Sequence, residues 1–164
     1  MIAGANFTPY KKWRLAVLAV IGLTLSFIFL QSAKSVAESS SDSAAVTDFL
    51  SRIFSEDGLL GAFVLGNVRK LAHFFEYGVL GVECAVYVLL LLKSRGRGFA
   101  ASVVFSVMAA LIDETIQIFS GRGPMIADVW LDVLGFVTLG GFAAAVWLAT
   151  ERIRGGKIRL KESE

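Results

Sequence analysis

Four long apolar stretches limit what this chain can fold into more than any other feature of its sequence. They lie at about 13–30, 71–92, 99–119 and 129–150, and hydrophobic residues make up 55% of the chain. Each stretch is close to the roughly 20 residues that a helix needs to cross a hydrocarbon core of about 30 Å. Since lipid offers no hydrogen-bond partner to peptide groups, a single crossing segment must be helical. The sequence therefore predicts an all-α fold, a polytopic membrane bundle of four transmembrane helices that forms one domain over 1–164.

The long connection between the first two stretches carries shorter patterns. Residues 39–43 read Ser-Ser-Ser-Asp-Ser, which predicts a flexible polar loop. After Thr47, a candidate N-cap, apolar residues recur at helical spacing and predict a short amphipathic helix suited to the membrane interface. These apolar residues are Phe49, Leu50, Ile53 and Phe54. The apolar run 59–65 is too short to cross a membrane, and we expect it in the headgroup region or against the bundle.

Lysine and arginine are distributed unevenly around the four stretches. With four crossings, most of them fall on the side that holds both chain ends. Because cytoplasmic segments are enriched in these residues, the sequence predicts both termini on the cytoplasmic side of a cell membrane. The basic residues on that side are Lys11, Lys12, Arg14, Lys93, Arg95, Arg97, Arg152, Arg154, Lys157, Arg159 and Lys161.

The first stretch has an alternative interpretation. Its basic start, its apolar run and the small residues at 35–37 resemble a secretory signal peptide with a cleavage site. The apolar run is longer than the about 7–15 residues of a usual signal core, which favours a retained helix.

Ionisable side chains interrupt the apolar stretches at the ends that should share one leaflet. His73 and Glu76 are three residues apart in the second stretch and therefore share a helix face. Asp113 and Gln117 are four residues apart in the third stretch and share a face in the same way. A charge at a helix centre in a bilayer costs on the order of 2.5–3.5 kcal/mol, so such residues usually persist for a functional reason.

The fourth stretch continues this pattern. Asp128 and Asp132 share a face, and Arg122 lies in the tight connection that precedes them. We expect the polar faces to point at one another and to line a pocket that opens to the outside, because small residues on the same faces allow close helix packing. The candidate catalytic residues are His73, Glu76, Asp113 and Glu114, and the candidate substrate-binding residues are Lys70, Tyr77, Gln117, Arg122, Asp128 and Asp132. The alternative is a buried polar network that only fixes helix packing.

The sequence predicts no resident cofactor. One histidine and no paired-cysteine motif argue against a zinc site, while a divalent cation on the carboxylates is an open alternative. Glu83 lies deeper, and we expect it to be hydrogen-bonded in the interior, as a structural group or as a proton relay. The sequence contains no nucleotide-binding glycine loop and no basic-aromatic pattern typical of nucleic-acid binding.

Two segments resemble the signatures of the VanZ-like family. The first is KLAHFFEYGVLG at 70–81, and the second is DETIQIFSGR at 113–122, followed by Asp128, Asp132 and Gly135. The chain departs from the family pattern at Asp132, where many members carry Asn. The resemblance implies a small bacterial multi-pass membrane protein, and the namesake of the family is associated with low-level resistance to the glycopeptide teicoplanin.

Three functions are compatible with these patterns. The first is binding, with hydrolysis or group transfer as a further step, of an anionic envelope lipid or lipid-linked cell-wall precursor, so that the partners are membrane lipids. In that function Arg122 and Lys70 hold the anion, while His73 with Glu76 and Asp113 moves a proton or positions water. The second is a non-catalytic, envelope-modulating or scaffolding role. The third is proton-coupled transport through Glu83, for which four helices are few unless the protein oligomerises.

Overall fold

The described part of the chain is helical throughout. The structure is a computed structural model that describes residues 9–55, 57–91, 95–123 and 125–161, and no strand occurs among them. The helices are α1 (Pro9–Ser32), α2 (Val36–Ser51), α3 (Leu59–Gly66), α4 (Val68–Leu91), α5 (Arg95–Phe119) and α6 (Ile126–Lys161). The predicted all-α fold is confirmed.

Four of these helices are long and apolar enough to cross a membrane. Their membrane-length segments are Lys12–Ser32, Val68–Leu90, Arg95–Phe119 and Ile126–Arg154. The predicted four-helix membrane bundle is therefore confirmed, although residue 92, the predicted end of the second span, and the basic Lys93 lie outside the described residues. Helix α6 continues past the predicted end at 150, because hydropathy marks the segment inside lipid whereas helix formation continues into polar residues.

Helices α4 and α6 share the largest contact in the fold. A Cβ added to Gly81 of α4 would overlap the backbone of Phe136, and one added to Gly135 of α6 would overlap the backbone of Phe74. Glycine at these positions lets two helix backbones touch, as is common where membrane helices associate. This contact brings the N-terminal part of α4, which carries His73, against the N-terminal part of α6.

The remaining long helices pack around this pair. Helix α1 contacts α4 and α5, and α5 contacts both α4 and α6. The centre of the bundle holds fully buried side chains from three helices, namely Ile28, Tyr77, Leu80 and Ala110. Many large apolar side chains point away from this core and are exposed on the outside of the bundle, as expected for a surface covered by lipid.

Helix α2 corrects two predictions for the outer connection. Residues 39–43 were predicted as a flexible loop and Thr47 as an N-cap; both predictions are wrong, because the helix already begins at Val36. Ser35 is the N-cap, and its Oγ accepts from the Glu38 backbone N–H while the Glu38 carboxylate accepts from the Ser35 N–H at 2.9 Å. This capping box satisfies amide groups that would otherwise oppose helix formation. The Ser35 hydroxyl also donates to the Glu38 carboxylate at 2.6 Å, and this bond, followed by the one from the Ser35 N–H, lowers the pKa of Glu38.

The serine-rich segment stays helical because its hydroxyls bond within the helix. Ser43 Oγ donates to the Ser39 carbonyl at 2.9 Å, and Thr47 Oγ1 donates to the Ser43 carbonyl at 2.8 Å. The predicted outer helix thus exists, but it is longer than expected and ends at Ser51, before Ile53. The apolar run 59–65 forms the separate helix α3, which contacts α2 and α4.

Candidate functional site

Three side chains from three helices meet near the end of the bundle where α4 and α6 begin and α5 ends. His73 of α4 has its Nδ1 3.7 Å from Asp113 Oδ2 of α5 and 3.7 Å from Asp132 Oδ1 of α6. Both aspartates are fully buried, and the histidine side chain is 13% exposed. These separations are longer than a hydrogen bond, so the three groups face one another without being bonded. We call His73, Asp113 and Asp132 the HDD cluster.

The HDD cluster is short of hydrogen-bond partners. Within the described residues, both carboxylate oxygens of Asp132, Oδ1 of Asp113 and Nδ1 of His73 are buried without one. A buried carboxylate without a donor is costly unless it is neutralised by a proton or by a cation. One potential ligand atom from each of the three residues lies within 4.8 Å of the others. The cluster can therefore share protons or hold a metal ion.

Gln117 connects the cluster to a basic residue at the surface. Its Nε2 donates to Asp113 Oδ2 at 3.1 Å and to Glu114 Oε1 at 2.9 Å. Its Oε1 accepts from Arg69 at 2.9 Å. The relay from Arg69 through Gln117 fixes the orientation of the Asp113 carboxylate.

Glu114 differs from the aspartates, because both of its oxygens have partners. Besides the bond from Gln117, its Oε2 accepts from the Met125 backbone N–H at 2.9 Å. This bond ties α5 to the start of α6. The geometry therefore gives Glu114 a clear structural contact, whereas its predicted catalytic role stays a prediction.

Arg122 joins the α5–α6 connection to the end of α1. Its guanidinium donates to the Ser32 carbonyl at 2.7 Å, to the Gln31 carbonyl at 3.3 Å and to Ser39 Oγ at 2.8 Å. A cation at the C-terminus of a helix satisfies terminal carbonyls and interacts favourably with the helix dipole. Burial, together with the nearby Arg69, lowers the pKa of Arg122, yet an arginine stays charged at any physiological pH. Both terminal nitrogens of Arg122 are thus engaged by the protein itself, while its Nε has no partner among the described residues.

Two open cavities flank the HDD cluster, and His73 lines both. The first has a volume of about 220 Å³ and is bordered by Lys34, Arg69, Glu76 and Arg122. The second, of about 260 Å³, is bordered by Arg69, Lys70 and Asp128. Basic side chains, together with Asp42 and Glu76 in the first cavity and Asp128 in the second, therefore line the two openings beside His73.

The other predicted site residues are distributed around this centre. Tyr77 is fully buried one turn below His73, and its hydroxyl has no hydrogen-bond partner among the described residues. Glu83 lies apart from the cluster and accepts from Thr24 Oγ1 at 2.7 Å, which is the interior hydrogen bond expected for it. Arg69 was not among the predicted site residues. Its position four residues before His73, on the same helix face, is the sequence signal that could have revealed it.

An all-helical chain with four membrane-length helices and a buried polar cluster defines a polytopic membrane protein. The family model of VanZ/LLP1 matches residues 16–148, which include all three members of the HDD cluster. The chain therefore belongs to the VanZ/LLP1 family, and the resemblance drawn from its two signatures is confirmed. Comparison with curated proteins and with solved structures gave no match.

Proposed function

We propose that this membrane protein binds an anionic lipid-linked or envelope molecule, with the anionic group at the basic opening above the HDD cluster. The observation that carries the proposal is the pair of cavities that share Arg69 and His73. Lys70 borders the second cavity, and Lys34, which pairs with Asp42, borders the first, so each approach has a lysine beside Arg69. The guanidinium of Arg69 suits phosphate, because its planar donors can bind two oxygens together.

The charge distribution favours an anion at the opening and not below it. Arg69 gives one hydrogen bond to Gln117 and is otherwise largely exposed, whereas Arg122 is buried and engaged with α1. We therefore assign the main contact with the anion to Arg69, with Lys70 as its neighbour. The buried carboxylates beneath repel an anion that moves deeper, which would hold a head group at the level of His73.

The proposal includes the orientation of the protein. Most Lys and Arg residues lie at the helix ends opposite to the HDD cluster, as at the start of α5 (95–97) and in the part of α6 after 150. Since such residues favour the cytoplasmic side, we propose that both termini are cytoplasmic and that the cavities open to the outer leaflet.

Chemistry at the bound group is the second part of the proposal. His73 is the single imidazole of the chain, it borders both cavities, and Asp113 and Asp132 face it. An imidazole that faces carboxylates can accept a proton from water or a hydroxyl and return it to a leaving group, which suits hydrolysis or group transfer. Glu76 borders the first of these cavities and would orient the attacking water there.

Binding can be tested with two ligands that differ only in the anion. The purified full chain in neutral detergent is titrated with farnesyl phosphate and with farnesol, and binding is followed by microscale thermophoresis. We expect tight binding of the phosphate only, and a loss of about 10–100-fold in affinity for Arg69→Gln, the range of a charge-assisted hydrogen bond of about 1.5–3 kcal/mol. Arg52→Gln is the matched control, since Arg52 pairs with Asp48 on exposed α2. Equal binding of both ligands, or wild-type affinity in Arg69→Gln, would contradict the proposal.

A non-catalytic scaffolding or envelope-modulating protein is the second candidate. The relay from Arg69 through Gln117 to Glu114 favours it, because these groups satisfy one another without a ligand. Single substitutions of Arg69 and Lys70, the proposed contacts of the anion, separate the candidates. Normal folded yield in detergent with lost binding supports a ligand site, whereas a collapse of the yield in both variants supports a structural network.

A further inference from the structure

We propose that the HDD cluster is a metal site, in which His73, Asp113 and Asp132 coordinate one divalent cation of the Zn²⁺ class. The proposal goes beyond anion binding, because it concerns buried atoms beneath the opening and does not depend on a ligand above them. It stands on the separations, the burial and the missing hydrogen bonds of these three side chains.

The separations between the candidate ligand atoms suit a shared ion. Nδ1 of His73 is 3.7 Å from one oxygen of each aspartate. Metal–ligand bonds of about 2.0–2.2 Å place two ligand atoms roughly 3.0–4.0 Å apart, depending on the angle between them. A direct hydrogen bond would instead bring nitrogen and oxygen to about 2.7–3.2 Å. The nitrogen–oxygen distances of 3.7 Å are therefore too long for hydrogen bonds between the side chains and are compatible with a metal ion between them.

Burial supplies an independent observation. Asp132 is 0% exposed, its Oδ1 faces His73, and neither of its oxygens has a hydrogen-bond partner among the described residues. Asp113 is equally buried, with one oxygen unpartnered. A dication would balance the two negative charges, and the unpartnered carboxylate oxygens would coordinate it. Its binding would therefore offset the cost of burying unpaired carboxylates in a low-dielectric interior.

The surroundings resemble the outer shell of a metal site. Gln117 donates to Asp113 Oδ2, the oxygen that faces His73, and is itself held by Arg69. Hydrogen bonds of this kind orient ligating carboxylates and tune their affinity for metal. The cavities beside His73 leave an open coordination position that solvent or a ligand can reach.

The ligand set favours zinc over the hard cations. Ca²⁺ takes about 6–8 oxygen ligands and Mg²⁺ a near-octahedral set rich in water, so neither favours an imidazole. Zn²⁺ readily accepts one imidazole with two carboxylates, and three protein ligands with one open position are typical of its catalytic sites. A metal on Nδ1 would occupy the nitrogen that faces the carboxylates. Water at the metal would then replace His73 as the group that transfers a proton.

Zinc binding is tested with the untagged, chelator-treated full chain in detergent, titrated with Zn²⁺ in a calorimeter. We expect one ion per chain and a loss of on the order of 100-fold or more in affinity for Asp132→Asn and His73→Gln, at or above the range for altered outer-shell partners. Glu83→Gln is the matched control, since this membrane carboxylate bonds to Thr24 away from the cluster. Mg²⁺ and Ca²⁺ in excess should not displace the zinc.

A second measurement uses the wild-type chain alone, in case a variant fails to fold. Co²⁺ bound by these three ligands should give visible absorption that Zn²⁺ abolishes at one equivalent. Absence of stoichiometric zinc and of this spectrum would overturn the metal proposal and would favour carboxylates that share protons instead. Wild-type affinity in Asp132→Asn would overturn it as well. Loss of zinc binding with retained farnesyl phosphate binding would separate the metal proposal from the anion proposal.

Discussion

Replacing Gly135 with alanine should loosen the contact that builds the site. A Cβ at this position would overlap the backbone of Phe74, which cannot move aside as a flexible side chain could. Helices α4 and α6 must then separate by on the order of 1 Å to restore ordinary carbon contacts. Overpacking of this kind costs about 1–3 kcal/mol of the free energy of unfolding.

Gly141 on the same helix provides the matched control. No atom lies within 4 Å of a Cβ added there. Replacing a helical glycine with alanine otherwise gains about 0.5–1 kcal/mol, and this gain is common to both positions. The difference between Gly135→Ala and Gly141→Ala therefore isolates the overlap and should be about 1–3 kcal/mol.

The assay is reversible unfolding of the purified chain in mixed micelles, followed by circular dichroism as the share of denaturing detergent rises. Gly135→Ala should unfold at a lower share than Gly141→Ala. Since Phe74 follows His73 directly and Gly135 lies one turn after Asp132, the same variant should also weaken Zn²⁺ binding. Identical unfolding curves for the two variants would refute the direct contact between the backbones of α4 and α6.

Three further changes test other contacts. Arg122→Gln should lower the free energy of unfolding by about 1.5–3 kcal/mol, because charged hydrogen bonds to the end of α1 are lost, and the same detergent titration measures this. Thr24→Val should cost about 0.6 kcal/mol, and at most about 1.7, by removing the bond to Glu83. Glu83→Met removes the acceptor, so an unchanged stability in Glu83→Met/Thr24→Val relative to Glu83→Met would confirm that this pair carries the effect. Because the pKa of Glu38 is lower in the folded chain than its ordinary value of 4.5, the ionised carboxylate stabilises the start of α2 at any pH above 4.5. This stabilisation is lost as the pH falls through the lowered pKa. Hydrogen exchange of 36–51, corrected for intrinsic rates, should therefore quicken on acidification, less so in Ser35→Ala; an unchanged profile would exclude the capping box.

The helices and their grouping follow from the sequence for simple physical reasons. Blocks of about 20 apolar residues have one stable form in lipid, and spacings of three and four residues set which side chains share a face. Short connections then bring the outer ends of α5 and α6 together. These constraints place His73, Asp113 and Asp132 at a common depth before any contact is known.

The individual contacts depend on helix rotation and on distant residues, which local patterns do not determine. Asp132 faces His73 while Asp128 borders a cavity, although the two share one helix face. Arg122 reaches the end of α1, about ninety positions earlier in the chain, and no spacing rule connects them. The helix through the serine-rich segment is different, because Ser35 and Glu38 form a capping box that is readable in the sequence.

Cross-linking in intact cells tests most directly whether polar groups of separate helices meet in a hollow open to the exterior. In a Cys84→Ala background, His73→Cys is combined with Asp132→Cys, or with Trp130→Cys as a control whose side chain is 67% exposed on the same helix. A short bifunctional thiol reagent is added from outside the cells. The account predicts rapid cross-linking of the first pair and little of the second. Equal cross-linking of both pairs, or thiols at 73 and 132 that react only after the membrane is permeabilised, would contradict it.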